Sequence, residues 1–205
     1  MGRTMLETAA PPPARMARLA LLEGVIRPTA RVLADPQRRG LDRLDDLEGP
    51  AVFVANHHSH LDTPLMLTSI PEPWRHRIVV GAAADYFFGT RLSGSAAALA
   101  LNAIPIERTR VNRRSAHLAQ ELLAAGWSLL IFPEGGRSPD GWGRPFRGGA
   151  AYLALRTGVP IVPVHIAGTG RILGKGMSRP RAGRTRVTFG HPIRPGPDED
   201  ARTLA

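Results

Sequence analysis

The sequence contains no cysteine. This absence excludes a disulfide framework, a thiolate nucleophile and zinc sites built on cysteine, and it fits an intracellular protein. The chain also lacks a run of about 18 apolar residues, the length needed to span a membrane. Its first residues lack the continuous apolar core of a signal peptide. If the protein meets a membrane, we therefore expect it to lie on the surface.

Lysine is almost absent, since Lys175 is the only one and the other basic residues are all arginine. The net charge is +10 and the isoelectric point is near 11.5, which favours anionic partners. Nucleic acid, lipid headgroups, phosphorylated metabolites and an acidic carrier protein all fit that charge. Aromatic residues make up only 5% of the chain, and no basic patch has aromatics interleaved with it. We therefore expect no nucleic-acid partner.

The length and composition predict a folded protein with one main domain. The chain has 205 residues, of which 43% are hydrophobic and 21% charged. Residues 1–13 are proline-rich and predict a flexible tail. Residues 14–49 predict an amphipathic helix and a linker, with Pro28 expected to kink or divide the helix. The apolar stripe of this helix could rest on an anionic bilayer or pack on the domain at residues 50–205.

Strand and helix patterns alternate through the main domain. Apolar runs predict strands at residues 51–55, 77–82, 103–106, 127–132, 160–166 and 185–189. Helices are predicted at residues 64–69, 112–125 and 147–157, with short helices in the alanine-rich residues 83–101. The strand runs are continuously apolar, which indicates a sheet covered on both faces. The expected fold is therefore a three-layer α/β/α domain with a central β-sheet, preceded by the amphipathic helix.

Polar turns follow the ends of three predicted strands, at residues 56–62, 107–108 and 133–138. In open α/β sheets, ligands gather at the carboxyl ends of the strands. We therefore expect these three turns to form one site.

The first turn offers a histidine and a carboxylate. His57 and Asp62 are five residues apart, so only a turn could bring them together, and a bond between them would make His57 a general base. Asp62 could instead be only a helix cap, and Thr63-Pro64 looks like a helix entry. A zinc site with His58 and His60 is the other alternative. Because the spacing fits no standard zinc motif, we expect no metal.

The other two turns offer groups that could hold an anionic substrate. Arg108 and Arg137 could bind a phosphate, and the backbone N–H groups of Gly135 and Gly136 could stabilise an oxyanion. Together with His57, they suit acyl transfer to a hydroxyl of a phosphate-bearing acceptor. Taken singly, each arginine could be a solvated surface charge, and the two glycines could mark only a turn.

Four motifs resemble those of the glycerolipid acyltransferase family, which includes 1-acylglycerol-3-phosphate acyltransferases. Asn56-His57-x-Ser59-x-x-Asp62 resembles the first motif of the family, and residues 132–138, FPEGGRS, resemble the third. Residues 104–108, IPIER, are similar to the second motif and residues 159–164, VPIVPV, to the fourth. The motifs occur in family order over residues 50 to 195.

The resemblance implies that His57 is the base and Asp62 its partner. It implies an acyl thioester donor, acyl-CoA or acyl carrier protein, and direct attack by the acceptor hydroxyl without an acyl-enzyme or a further cofactor. The implied acceptor is a lysophospholipid, with 1-acylglycerol-3-phosphate giving phosphatidic acid, in phospholipid biosynthesis. The predicted substrate-binding residues are Ser59, Arg108, Glu134, Gly135, Gly136 and Arg137.

Two other activities stay open, an O-acyltransferase acting on another hydroxyl acceptor such as a glycolipid, and a thioester hydrolase. The expected location is cytoplasmic, peripheral on the inner face of the cell membrane.

Overall fold

Seven strands form one sheet in the computed structural model, which describes residues 12–83, 102–106, 113–137 and 143–196. The strands are β1 Pro36–Arg39, β2 Val52–Ala55, β3 Ile78–Ala83, β4 Ala103–Ile106, β5 Ser128–Ile131, β6 Ile161–Ala167 and β7 Thr185–Phe189. Their order across the sheet is β1-β7-β6-β2-β5-β3-β4. The helices are α1 Pro12–Leu21, α2 Arg27–Ala34, α3 Asp62–Ser69, α4 Arg113–Ala124, α5 Gly149–Thr157 and α6 Thr169–Leu173.

Five consecutive strands run parallel to one another, from β6 through β2, β5 and β3 to β4. Their carboxyl ends therefore meet at one edge of the sheet, as the sequence predicted for the polar turns. β7 pairs antiparallel with β6, and β1 pairs parallel with β7, so the sheet is mixed at that side. β4 carries Pro105 and lies at the end of the described sheet, the edge position that its proline predicted.

Helices cover both faces of the sheet, which confirms the three-layer fold. Neighbouring strand residues alternate between two cores. Phe53 lies in the core that α3 and the N-terminal helices cover, where its ring meets the ring of Trp74 edge to face at 6.1 Å. Val52 lies in the opposite core, with Leu123 of α4 and Leu153 of α5.

The strand β1 was not predicted. Residues 35–49 looked like a charged, turn-rich lead into the domain, and the prediction is wrong for residues 36–39. The reason is that Pro-Gln-Arg-Arg has no apolar period, because three of the four residues are exposed at the sheet edge. Backbone pairing with β7 holds the strand in place, from Pro36 opposite Thr185 to Arg39 opposite Thr188.

The N-terminal segment is helical but divided, as Pro28 suggested. A π-helical turn, Leu22–Ile26, separates α1 from α2, and the N–H of Arg27 donates to the carbonyl of Leu22, five residues earlier. Pro28 lies in the first turn of α2, where its missing N–H is tolerated. Within the described residues, no helix combines the length and the apolar character needed to cross a membrane.

One face of this segment packs on the domain. Leu22, Ala30 and Ala34 are buried, and the Ala34 carbonyl accepts a hydrogen bond from the Thr185 hydroxyl at 2.8 Å. Of the two alternatives for this segment, packing on the domain and resting on a bilayer, packing is therefore correct for that face. The short helices predicted within residues 83–101 fall almost wholly on residues 84–101, outside the part that the structure describes.

Gly40 lets the chain turn sharply after β1. It has φ = +71°, and a Cβ there would collide with the backbone carbonyl oxygen of Phe189. Gly49 also has positive φ, at +76°, but a Cβ there would meet open space. A side chain at either position would strain the backbone, but only at Gly40 would it also collide with a neighbouring atom.

We expect Gly40→Ala to lower the free energy of unfolding by about 2–4 kcal/mol, since it combines strain at positive φ with a clash against backbone. Gly49→Ala should lower it by only about 1 kcal/mol, from the strain alone. Urea denaturation of both variants measures the difference. Equal losses in the two variants would contradict the close approach of Gly40 to β7.

Candidate active site

Two of the three predicted turns meet at the carboxyl edge of the sheet. Residues 56–61 follow β2 and residues 132–137 follow β5, and these strands are parallel neighbours, with Val54 opposite Ile131. The third predicted turn, residues 107–108 with Arg108, lies outside the described part of the chain. On the other side of β2, the loop after β6 and helix α6 lie next to the turn at residues 56–61.

His57 and Asp62 are in contact, as their spacing across a turn predicted. The Nδ1 of His57 lies 2.9 Å from Oδ2 of Asp62. The same oxygen accepts the backbone N–H groups of His58 and Ser59, at 2.6 and 2.7 Å. Asp62 itself has no solvent-exposed surface. Three donors thus converge on one buried carboxylate oxygen.

This convergence assigns the tautomer of His57. An oxygen that accepts two backbone N–H groups acts as an acceptor toward the imidazole too, so Nδ1 carries the proton and donates it. The other ring nitrogen, Nε2, then has a free lone pair. His57 is therefore arranged as a general base that acts through Nε2, with 20% of its side chain exposed.

The predicted helix entry at Thr63-Pro64 is wrong by two residues. α3 begins at Asp62, its N-cap is Leu61, and no side chain caps it. The reason is that the Asp62 carboxylate turns back to the N–H groups of the preceding turn, so the helix starts on Asp62 itself. The alternative that Asp62 is only a helix cap is not what the structure shows, because its oxygen also binds the His57 ring.

Phe132 and Glu134 of the second turn hold His57 from the other side. The Phe132 ring stacks on the imidazole, with centroids 4.3 Å apart and planes 24° apart. Oε1 of Glu134 accepts the backbone N–H of His57 at 2.9 Å, and Glu134 is only 2% exposed. Glu134 therefore positions the base. Its predicted contact with substrate stays a prediction.

Asn56 ties this turn to β6, a role that the sequence did not reveal. Its side-chain amide donates to the carbonyl of Ile166 at 2.8 Å, and its carbonyl oxygen accepts the Ile166 N–H at 2.6 Å. The side chain thereby continues the β2–β6 ladder by one residue beyond the end of the strand. The sequence feature that could have indicated this role is a polar amide side chain directly after a buried strand.

Ser59 is fully buried within the turn. Its hydroxyl donates to the carbonyl of Leu173 at 2.6 Å and accepts the N–H of Leu61 at 3.0 Å. Ser59 thus joins the turn to α6 and shapes it. The substrate contact predicted for Ser59 stays a prediction.

Gly135 has φ = +66°, and its N–H donates to the carbonyl of Phe132 at 3.1 Å. That N–H is therefore used within the turn. The N–H of Gly136, the other predicted oxyanion donor, has no partner among the described residues. A Cβ on Gly135 would lie 3.1 Å from Nε of Arg147. The structure therefore places Arg147, which the sequence suggested only as a helix start, beside the motif.

Arg137 acts on the histidine turn through its charge. Burial lowers the pKa of His60 below its ordinary value, and the positive charge of Arg137 lowers this pKa further. The guanidinium is thus near the turn that carries His57. Among the described residues, no three histidine or carboxylate side chains are grouped as metal ligands.

The fold and the oriented histidine define an α/β protein built for general-base chemistry at the carboxyl edge of a sheet. The comparisons then give the family. The acyltransferase family model matches residues 35–167, so the chain belongs to the acyltransferase family. The resemblance to glycerolipid acyltransferases is confirmed.

Two curated plant relatives illustrate the match. The chain is 34% identical to 1-acyl-sn-glycerol-3-phosphate acyltransferase BAT2 of Brassica napus over 140 residues, 67% of this chain and 39% of the plant protein. It is 33% identical to LPAT1 of Arabidopsis thaliana, with the same enzyme name, over 75% of this chain and 42% of the relative. The chain thus matches about two-fifths of the length of these relatives.

A solved structure shows the same fold. The 1-acyl-sn-glycerophosphate acyltransferase PlsC from Thermotoga maritima has a TM-score of 0.71 and covers 98% of this chain and 80% of its own. Its sequence identity is 24%, so this likeness supports the fold alone.

We expect Arg137→Gln to raise the pKa of His60, because it removes a positive charge that disfavours the protonated ring. NMR titration of the histidine ring signals measures the shift. Arg156→Gln, at an exposed site on α5, is the matched control and should leave the pKa of His60 unchanged. The same pKa in both variants would place Arg137 away from the turn.

Proposed function

We propose that the protein transfers a fatty acyl group from an acyl thioester, acyl-CoA or acyl carrier protein, to the hydroxyl of a lysophospholipid. The proposed acceptor is 1-acylglycerol-3-phosphate, which gives phosphatidic acid. The observation that carries the proposal is the hydrogen bond from Nδ1 of His57 to the buried Asp62 carboxylate, since it frees Nε2 as a base. The names of the curated relatives support the choice of acceptor.

The proposed reaction is one direct displacement. Nε2 of His57 takes the proton of the acceptor hydroxyl as its oxygen attacks the thioester carbonyl carbon. The tetrahedral intermediate then expels the thiol sulfur, which takes the proton back from the imidazolium. Asp62 stabilises the positive charge that His57 carries between the two steps. No residue becomes acylated in this sequence.

The second turn supplies the charges for the acceptor phosphate and the oxyanion. Arg137 is proposed to pair with the phosphate, together with Arg108, because a guanidinium donates two parallel hydrogen bonds to such a group. The exposed Arg147 beside Gly135 can add a further cation at the same turn. The Gly136 N–H is proposed to face the oxyanion of the intermediate.

His57→Ala should lower kcat by about 10²–10⁴, the usual contribution of a general base. Asp62→Asn should lower it similarly, since an amide can donate to Nδ1 and reverse the tautomer. The assay is ester formation from labelled acyl-CoA with a panel of lysophospholipids. His191→Ala, at an exposed histidine outside the site, is the control and should retain full activity.

Two results of this assay would contradict the proposal. Retained ester formation in His57→Ala would exclude the base mechanism. Release of free fatty acid with no ester from any acceptor would favour a thioester hydrolase, with water in place of the alcohol.

The N-terminal segment supports a proposed location at the inner face of the cell membrane. Met16, Val25 and Val32 are 71%, 55% and 84% exposed, although the same segment buries other apolar residues in the core. Exposed apolar side chains on a basic helical segment are typical of helices that lie in an anionic interface. We propose that these exposed apolar side chains hold the enzyme on the membrane that contains its lipid substrate and product.

Replacing Met16, Val25 and Val32 together by serine should lower the partition coefficient onto anionic vesicles about tenfold or more, because the inserted apolar area is lost. Vesicle sedimentation measures it. Point changes are preferable to deletion of the segment, since Leu22 belongs to the core. Ile193→Ser, at an exposed residue elsewhere, is the control. Unchanged sedimentation of the triple variant would refute this contact surface.

A further inference from the structure

A second basic site lies away from the catalytic turn. A cavity of about 310 Å³ opens between α2, β1 and the last turn of α3. Arg27, Arg31 and Arg38 line it from one side, and Thr68 and Ser69 line it from the other. Ser69 lies seven positions after the catalytic Asp62 on α3, roughly 10 Å along the helix axis. The cavity has the volume of a small-ligand pocket.

Positive charge exceeds negative charge around this cavity. Arg27 pairs with Glu23, whose other carboxylate oxygen accepts a hydrogen bond from the buried Arg75 at 3.3 Å. Arg31 and Arg38 have no ion-pair partner within the described part of the chain. Glu23 is thus shared between Arg27 and Arg75, and Arg75 also lies 3.9 Å from Oε1 of the exposed Glu72. The guanidinium groups of Arg31 and Arg38 remain uncompensated.

The single carboxylate on the rim does not neutralise this excess. Asp35 also lines the cavity, but its carboxylate pairs with Nε of Arg184 at 3.3 Å. Both side chains of that pair are largely exposed, so the pair lies in solvent.

The arginines repel one another. Burial lowers the pKa of the Arg38 guanidinium below its ordinary value. The positive charges of Arg75, Arg27 and Arg31 lower this pKa further. A lowered pKa means that the fold disfavours the charged form of Arg38, so an anion in the cavity would relieve an existing repulsion.

Two hydroxyl-bearing residues of α3, Thr68 and Ser69, line the cavity together with the arginines. Ser69 is 1% exposed, and its buried Oγ has no hydrogen-bond partner among the described residues. A buried hydroxyl without a partner carries a desolvation penalty that a ligand oxygen would remove. The Thr68 hydroxyl donates its proton to carbonyls within α3, at Pro64 and Leu65.

We propose that this cavity binds a phosphate monoester group, at a site distinct from the catalytic turn. Guanidinium groups match the oxygens of a phosphate in geometry and charge, and the Ser69 hydroxyl can donate to a further oxygen. Phosphate bound here would bridge α2, β1 and α3, and so would link the N-terminal segment to the helix that begins with Asp62. The phosphate could be that of a soluble metabolite or of a lipid headgroup, and the experiment separates these sources.

The test uses the full-length protein with two probes, inorganic phosphate in equilibrium dialysis and phosphatidylcholine vesicles containing phosphatidic acid in sedimentation. The variant is Arg31→Gln/Arg38→Gln. The control is Arg39→Gln/Arg179→Gln, which removes the same charge from exposed positions outside the cavity. Both proteins keep the catalytic turn, so phosphate bound there contributes equally.

We expect the Kd for inorganic phosphate to rise about tenfold or more in Arg31→Gln/Arg38→Gln and to stay unchanged in the control. That result identifies a soluble phosphate ligand. A loss confined to the phosphatidic acid vesicles identifies a lipid headgroup. If the variant and the control behave alike in both arms, the cavity is not a phosphate site and the proposal is wrong.

Thermal unfolding provides the folding check. Because the arginines repel one another, Arg31→Gln/Arg38→Gln should have a Tm at least as high as that of the wild type without phosphate. Phosphate should then raise the Tm of the wild type and the control more than that of the variant. Ser69→Ala should weaken binding by a smaller factor, since it removes one neutral donor. None of these measurements depends on acyl transfer, so the result stands apart from the proposed enzymatic activity.

Discussion

The Asp62 carboxylate is the group on which the site depends. One of its oxygens accepts two backbone N–H groups and the imidazole of His57, and the residue is closed off from solvent. A buried carboxylate needs such donors, because an unpaired charge in the interior is strongly destabilising. The requirement that stabilises the turn therefore also sets the histidine tautomer. The same three hydrogen bonds to Oδ2 hold the turn together and orient the base, while Oδ1 is buried without a partner among the described residues.

The sheet order brings the supports of this turn together from distant parts of the chain. β2 lies between β6 and β5, so the turn after β2 is flanked by the ends of both neighbours. Asn56 reaches Ile166 on one side, and Phe132 and Glu134 reach His57 on the other. Parallel strands make this possible, since they place successive carboxyl ends at one edge.

Much of this could be predicted from the sequence, because the signals were local. Six strands had continuous apolar runs, and the spacing of His57 and Asp62 required a turn. β1 could not be predicted in the same way, since Pro-Gln-Arg-Arg is held by backbone pairing at an edge. The positioning role of Glu134 depends on which strands are neighbours, a property that no single stretch encodes. The arginine cavity likewise draws on three segments, represented by Arg31, Arg38 and Ser69.

The bond between Glu134 and the backbone of His57 joins residues 77 positions apart in the chain. Contacts of such high sequence separation form only after the entropy of closing the intervening loop has been overcome. The local pair of His57 and Asp62 thus acquires its support only when β2 and β5 have paired. A chain caught before that step would have the histidine and the aspartate but no fixed base, so basicity at this turn is a property of the completed sheet.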